Sequence, residues 1–132
     1  MLIVIIVLLT RKKKPVVKAA EPPPDPYKKA MERLEKLRQA RPAAKEYYSE
    51  LTDIFRIYIA EKKGIHSMQK TTDDLVQQLR GLNMPSDRFE ELAQSLRTAD
   101  FVKFAKYVPS DDDDNRVFGV IKNIIQHFEQ AP

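Results

Sequence analysis

The stretch AAKEYYSELTDIFRIYIAEKKG, residues 43 to 64, decides the fold of this chain. Its large apolar side chains recur three and four residues apart, which is the spacing of one face of an α-helix. At about 100° per residue they cover an arc of about 140°, and Ile57 widens it to about 200°. The residues of this face are Tyr47, Tyr48, Leu51, Ile54, Phe55, Tyr58 and Ile59. The pattern predicts a helix over residues 43–63 that ends at Gly64 and lies at the centre of a helical domain.

One helix is predicted before this central helix and another after it. Asp25 followed by Pro26 marks a helix start, because aspartate caps the first turn and proline needs no N–H there. The apolar residues that follow at helical spacing are Tyr27, Ala30, Met31, Leu34 and Leu37. Downstream, Thr71 and Asp74 frame another helix start as a capping pair, and Gly81 follows its end. Leu75, Val76 and Leu79 are expected to face inward.

A fourth helix is predicted to begin at Ser86, with Phe89, Leu92, Ala93 and Leu96 on its inner face. If it continued unbroken, Asp100 would lie about 20° from Phe89, in the middle of the apolar stripe, where an unpaired carboxylate is costly. We therefore expect a break near Ala99, with Asp100 capping a new short helix. That helix would bury Phe101, Phe104, Ala105 and Val108 and expose Lys103 and Lys106.

The last helix is predicted to start at Ser110, its capping residue, with Asp111 to Asp114 in the first turn, where acidic charge favours the helix dipole. Its expected buried residues are Val117, Val120, Ile121, Ile124, Ile125 and Phe128. Together these patterns predict an all-α domain over residues 27–130, a compact bundle of about five helices.

The N-terminus reads MLIVIIVLLTRKKKP, an apolar run that ends in Arg11, Lys12, Lys13 and Lys14. A membrane-spanning helix needs about 20 apolar residues, so Leu2 to Leu9 cannot span alone. A secretory signal would have its positive charge before the apolar run, and an interfacial helix would have a polar face. We favour the third interpretation, in which residues 1–14 are the inner end of a truncated transmembrane helix with a cytoplasmic basic flank.

A proline-rich segment, residues 15–26, follows the basic flank and contains the run EPPPDP. Proline removes backbone donors and favours extended conformations, so this segment is predicted to be a semi-rigid linker. A ligand for a proline-binding groove is the alternative.

The charge of the chain is concentrated at its N-terminus. The first 18 residues carry five basic residues and no acidic one, so within a total of +4 the other 114 residues carry −1. Nucleic-acid binding usually shows a basic stripe on the folded domain itself, and we expect none here. The absence of cysteine excludes disulfides and cysteine metal sites and fits a reducing compartment.

No motif in the sequence predicts catalysis or a cofactor. Counted from Asp111, the sixth and twelfth positions of a calcium loop would be Arg116 and Lys122 rather than glycine and glutamate. The two histidines, His66 and His127, form no HExxH pair, and no P-loop, GxGxxG or GxSxG is present. We therefore expect a non-enzymatic protein without a metal or cofactor.

Three basic residues are candidates for partner binding. Phe101 and Phe104 are three residues apart and should share one face of their short helix, so Lys103 and Lys106 should share the other. That pair, beside an acidic helix start, is a plausible docking patch, and the plainer interpretation is two solvated charges. Arg56 falls opposite the middle of the central helix's apolar arc, and it is either solvated or a second partner contact.

Three segments, EYYSELTDIFRIYI, TTDDLVQQL and TADFVKFAKYVPS, resemble in order and spacing the C-terminal region of membrane proteins of the Bat (aerotolerance) operons of Bacteroidetes-type bacteria. The resemblance covers roughly residues 46–128 and the preceding apolar and basic segment. In that family a BatD-like extracytoplasmic region precedes one transmembrane helix and then this helical domain. The resemblance implies a single-pass inner-membrane protein with residues 15–132 in the cytoplasm.

The function that the resemblance implies is protein docking. Operon neighbours of this family include a MoxR-type AAA+ ATPase and von Willebrand factor A domain proteins, a set that looks like a membrane-linked assembly or stress-tolerance system. A small cytoplasmic helical domain fits such a system as an interaction module. The alternative is a domain that binds anionic lipid through residues 11–14, since each basic residue near an anionic leaflet contributes about 1 kcal/mol.

Overall fold

Five α-helices and one short 3-10 turn make up residues 25–130, the part of the chain that the computed structural model describes. The helices are α1 (Pro26–Ala40), α2 (Ala44–Lys63), α3 (Thr72–Leu79), α4 (Ser86–Phe104) and α5 (Asp111–Gln130), and the 3-10 turn is Ser67–Gln69. These residues contain no β-strand. The predicted all-α bundle of about five helices is confirmed.

Helix α2 lies at the centre of the bundle, as its wide apolar face predicts. It packs against α1, α4, α5 and the 3-10 turn. All seven residues predicted for its apolar face are buried, with at most 7% of their surface exposed, and Ile57 at the edge of that face is half-buried. The helix ends where expected, because Gly64 adopts a left-handed conformation with φ of 71°.

The other helices close around α2 mostly with the apolar residues expected of them, and Ala99 and Val102 of α4 are buried in addition. The buried residues are Ala30, Leu34 and Leu37 in α1, Leu75, Val76 and Leu79 in α3, Phe89, Leu92, Ala93, Leu96, Ala99 and Val102 in α4, and Val117, Ile121, Ile124, Ile125 and Phe128 in α5. Tyr27, Met31 and Val120 pack against this core but are only partly buried. One contiguous core therefore holds all five helices.

Two tyrosines of α2 fix the position of α5 at both of its ends. The Tyr48 hydroxyl donates a hydrogen bond of 2.8 Å to Asp114 Oδ1, and the Tyr58 hydroxyl donates one of 2.9 Å to Glu129 Oε1. Burial, reinforced by these carboxylates, raises the pKa of both tyrosines. Both hydroxyls therefore stay protonated and serve as donors inside the bundle.

The predicted caps Asp25, Thr71 and Ser110 are confirmed at three helix starts, whereas within the described residues the Asp74 side chain accepts no hydrogen bond that would complete the predicted Thr71–Asp74 pair. Asp25 accepts a hydrogen bond from the first turn of α1, and Thr71 Oγ1 accepts one of 3.2 Å from the backbone N–H of Asp74. At α5 the pairing is reciprocal: Ser110 Oγ accepts from the N–H of Asp113, and Asp113 Oδ2 accepts from the N–H of Ser110, both at 3.0 Å. Side chains thus satisfy amides that a helix start leaves unpaired.

Helix α4 is continuous from Ser86 to Phe104, so the predicted break near Ala99 is wrong and Asp100 caps no helix. Asp100 lies half-buried inside the helix. The expected penalty for a carboxylate on the inner face is reduced because the cationic side chains of Arg56, on α2, and Lys103, one turn further along α4, both interact with it electrostatically.

The predicted transmembrane end, the basic flank of Arg11, Lys12, Lys13 and Lys14, and most of the proline-rich linker lie outside the described residues. Within residues 25–130, no helix combines the length and the apolar character that crossing a membrane requires.

Candidate functional site

A groove between α2, the start of α3 and the last two turns of α4 brings together charged and apolar side chains, and we call it the α2–α4 groove. Its volume is about 360 Å³. Its lining comprises three cations (Arg56, Lys70, Lys103), two carboxylates (Asp53, Asp100), two threonines (Thr71, Thr72) and two large apolar residues (Met68, Phe104). Two of the three predicted partner-binding residues, Arg56 and Lys103, therefore line the same concave surface.

Arg56 fastens the 3-10 turn to α2. Its Nη1 donates hydrogen bonds to the backbone carbonyls of Ser67 and Lys70, the latter at 2.6 Å, and its Nη2 lies 3.4 Å from Thr72 Oγ1. The Ser67 hydroxyl donates to the Arg56 carbonyl in return. The side chain is half-buried, so the expectation of a solvated arginine is wrong. The proposal that Arg56 also contacts a partner stays a prediction.

The predicted short helix required Lys103 to point away from the bundle, and in the structure it does not. It is half-buried, its Nζ donates a hydrogen bond of 3.2 Å to Thr52 Oγ1 on α2, and Nζ lies 5.3 Å from the centroid of the Phe104 ring. Lys106 is exposed and has left the helix with a positive φ of 59°. The two lysines therefore do not form the single outward patch that the sequence predicted.

Arg56 and Lys103, two of the three groove cations, are less favourably solvated than free side chains. Burial lowers the pKa of Arg56, and the nearby carboxylates of Asp100 and Asp53 oppose that effect. Burial also lowers the pKa of Lys103, with Asp100 acting in the opposite direction and the charge of Arg56 adding to the lowering. Within residues 25–130 neither cation has a carboxylate at salt-bridge distance. Their charge is therefore only partly compensated.

An exposed apolar surface adjoins the groove, and we call it the α4-end surface. Its members and their exposed fractions are Phe101 (57%), Phe104 (77%), Tyr107 (47%) and Val108 (85%). Met68 (51%) lines the groove together with Phe104. The prediction that Phe101, Phe104, Ala105 and Val108 are buried is wrong. Because α4 continues without a break, Phe101 lies about 120° around the helix from Phe89, outside the buried face. Phe104, the last residue of α4, lies beyond Val102, the last buried residue of the helix.

The segment after α4 is held in a fixed conformation although its side chains are exposed. The backbone N–H of Tyr107 donates to the Phe101 carbonyl at 3.2 Å, and its hydroxyl donates to Asp113 Oδ2 at 2.9 Å. Asp113 also accepts from Ser110 and from Arg116. The α4-end surface is therefore tied to the start of α5 and presented as a preformed surface.

Sequence reasoning missed the groove because it ended α4 too early. The signal was available as two acid–base pairs three residues apart, Asp53 with Arg56 on α2 and Asp100 with Lys103 on α4. Residues three apart on a helix lie on one face. In a continuous α4, Asp100 and Lys103 lie on opposite sides of Phe89, with Lys103 about 40° from it around the helix. Both charges would then have been expected to face α2.

The described residues present no arrangement that could bind a metal through three or more histidine or acidic side chains. Comparison of the chain with protein-family models, with curated proteins and with solved structures finds no match. The candidate site therefore rests on its own geometry: a partly compensated cationic groove with an exposed apolar surface at its edge.

Proposed function

We propose that this chain is a non-enzymatic protein-docking domain, tethered to the inner face of the membrane by its N-terminal segment. The observation that supports the proposal most directly is the α4-end surface, where four large apolar side chains within eight consecutive residues are 47–85% exposed. Soluble monomers rarely leave such residues together in water, and contiguous exposed apolar patches usually mark interaction sites.

The hydrogen bonds around this surface also favour docking over incidental exposure. A surface that is ordered before binding loses less conformational entropy when a partner covers it. Tyr107 and Asp113 supply that order by linking the end of α4 to α5. Aromatic residues are also the side chains that contribute most to protein–protein interfaces, because they bury a large area with few rotatable bonds.

The partners that we propose are those implied by the resemblance to the Bat operon proteins, a MoxR-type AAA+ ATPase or a protein with a von Willebrand factor A domain. The domain would recruit such a protein to the membrane or relay a signal between it and an extracytoplasmic region. The supporting evidence is the agreement between an exposed docking surface and a system of interacting proteins.

Photo-crosslinking in native membranes tests the proposal. The full-length protein would carry benzoylphenylalanine at position 104 or, as the matched control, at position 36, an exposed lysine of α1 outside the groove and the α4-end surface. We expect a crosslink from position 104 to one of the two named proteins, identified by mass spectrometry, and none from position 36. A crosslink from position 104 to a different protein would support docking but overturn the partner assignment.

Two outcomes would contradict the docking function itself. Position 104 could give no protein crosslink, or it could give the same products as position 36. The lipid-binding alternative makes a separate prediction, in which neutralising residues 11–14 abolishes binding to anionic vesicles and also abolishes function, while substitution of Phe104 leaves function unchanged.

A further inference from the structure

We propose that the α2–α4 groove binds an acidic residue of the partner protein, with its carboxylate held between Arg56 and Lys103. An aliphatic or aromatic neighbour of that acidic residue would lie on the rim of the groove, formed by Met68 and Phe104. This inference rests on the proposed docking function and names the chemistry that the partner must present.

Unused hydrogen-bond donors in the groove support this inference. A guanidinium has five N–H donors, and Arg56 uses three of them, two on Nη1 and one on Nη2. An ammonium has three, and Lys103 uses one, toward Thr52. Two donors therefore remain on each cation within the described part of the chain. A carboxylate has two oxygens that together accept about four hydrogen bonds, which matches this number.

The charge of the groove selects a ligand with a single negative charge. Three cations and two carboxylates line it, which leaves one net positive charge. A carboxylate neutralises that charge, whereas a phosphate group with nearly two negative charges would leave an excess beside Asp53 and Asp100. Burial disfavours the charged forms of both cations, and a bound carboxylate would stabilise them.

The rim of the groove specifies what should lie beside the carboxylate. Met68 is 51% exposed and Phe104 is 77% exposed, and both line the groove that contains the cations. An apolar side chain covering them would remove apolar surface from water at about 25 cal/mol per Å². A partner segment with an acidic residue next to a leucine or phenylalanine satisfies both requirements. The N-terminal segment of this chain is a poor occupant, because its first 18 residues carry five positive charges and no negative one.

Nuclear magnetic resonance titration of the full 132-residue chain in a non-ionic detergent tests this chemistry with defined probes. The first probe is N-acetyl-Phe-Glu-amide, and the matched neutral probe is N-acetyl-Phe-Gln-amide. We expect the Glu probe to shift the backbone resonances of Arg56, Thr72 and Phe104, and the Gln probe to bind about tenfold more weakly, because a charge-assisted hydrogen bond is lost. N-acetyl-Gly-Glu-amide should also bind more weakly, because it lacks the apolar side chain.

A pair of lysine substitutions provides the control. Lys103→Gln should weaken binding of the Glu probe about tenfold, whereas Lys106→Gln, which removes the same charge three residues away but outside the groove, should leave it unchanged. The comparison of the Glu and Gln probes on the unmodified chain needs no variant, so it holds even if a substitution disturbs folding.

Several outcomes would overturn the inference. These are equal affinity for the Glu and Gln probes, no shift with either probe, equal effects of the two lysine substitutions, or tighter binding of inorganic phosphate than of the Glu probe. Failure here is distinguishable from failure of the docking function: if the crosslink from position 104 persists in the Lys103→Gln variant, docking stands and the carboxylate chemistry falls.

Discussion

Helix α2 and the end of α4 are both rich in aromatic residues, yet one buries them and the other exposes them. In α2, Tyr48 and Phe55 have 0% of their surface exposed, whereas Phe101 and Phe104 of α4 are 57% and 77% exposed. Both segments are helical, but only the aromatic residues of α2 lie on the buried apolar face of their helix. The difference lies in what surrounds them, because the apolar face of α2 packs against α1, α4, α5 and the 3-10 turn, whereas no element of residues 25–130 buries Phe101 or Phe104.

The difference teaches that aromatic content alone does not identify a core face. On α4, the face toward α2 near the end of the helix is occupied by Asp100 and Lys103, and the aromatic residues lie beside it or beyond it. A helix segment with charges inward and aromatic residues outward is the reverse of the usual arrangement. Such an inversion is costly for an isolated domain, and it is explained if a partner covers the aromatic residues.

The largest expected effect comes from making the same substitution in the two regions. Phe55→Ala should lower the free energy of unfolding by about 3–5 kcal/mol, because it leaves a cavity at the centre of the bundle. Phe104→Ala should change it by less than about 0.5 kcal/mol, because the ring is mostly in water already. Urea unfolding of both variants measures the difference. Similar losses would mean that Phe104 belongs to the core and that the α4-end surface does not exist as described.

The next effect concerns Arg56 and Lys103, two of the three cations of the groove. Arg56→Met should lower the free energy of unfolding by about 1–3 kcal/mol, since it deprives the carbonyls of Ser67 and Lys70 of their donor. Lys103→Met, the matched control, removes one hydrogen bond to Thr52 and should cost less than about 1 kcal/mol. Urea unfolding gives the totals, and amide hydrogen exchange should show faster exchange in residues 67–70 for the first variant only. Unchanged exchange there would show that Arg56 does not hold the 3-10 turn.

The comparison of α2 with the end of α4 also separates features that local sequence determines from features that packing determines. The start and end of α2, its buried face and the caps at Thr71 and Ser110 were predictable, because helical periodicity and capping depend on neighbours within about one turn of the chain. The exposure of Phe104 was not, because it depends on which elements pack against α4. The cost assigned to Asp100 was also a local estimate, and it ignored Arg56, which is 44 residues away in sequence.

The candidate site was accordingly predicted only in part. The sequence identified Lys103 and Arg56 as candidate functional residues, but it predicted that both would be exposed. In the structure both are half-buried. That they line one groove follows from the packing of α4 on α2 and from the uninterrupted course of α4. If the cost of an inward-facing charge had been compared with possible oppositely charged residues on other helices, α4 would have been predicted as continuous and the groove as one of its consequences.

A smaller effect should follow from relaxing the turn after α4. Lys106 has a φ of 59°, a conformation that costs a residue with a β-carbon about 1 kcal/mol relative to glycine. Lys106→Gly should therefore raise the free energy of unfolding by up to about 1 kcal/mol, less the entropy that glycine gains in the unfolded chain. Lys106→Ala is the matched control, because it removes the same charge and keeps the strain. If both variants unfold at the same urea concentration, the gain cannot be attributed to the backbone.

The smallest effect, and the most specific test of how the α4-end surface is held, is a pH dependence at Asp113. The N–H of Ser110 and then the hydroxyl of Tyr107 lower the pKa of Asp113 from 3.8 to about 2. Between these two values the unfolded chain binds a proton that the folded chain does not. The carboxylate therefore stabilises the fold above about pH 4, and the contribution is lost as the pH falls toward 2. The side chain lies at the surface of the domain and keeps 20% of its area exposed, so screening by water limits the effect.

Asp113→Asn keeps the shape of the side chain but cannot titrate. The difference in unfolding free energy between the unmodified chain and this variant should be at its full size above about pH 5 and should shrink as the pH falls from about 4 toward 2. Asp112→Asn is the matched control, because this exposed neighbour removes the same charge without accepting the hydrogen bonds from Ser110 and Tyr107. A difference that stays constant with pH, or that is reproduced by the Asp112 variant, would mean that Asp113 does not hold the segment after α4. The exposed aromatic residues would then lack the fixed support that distinguishes them from an ordinary loop.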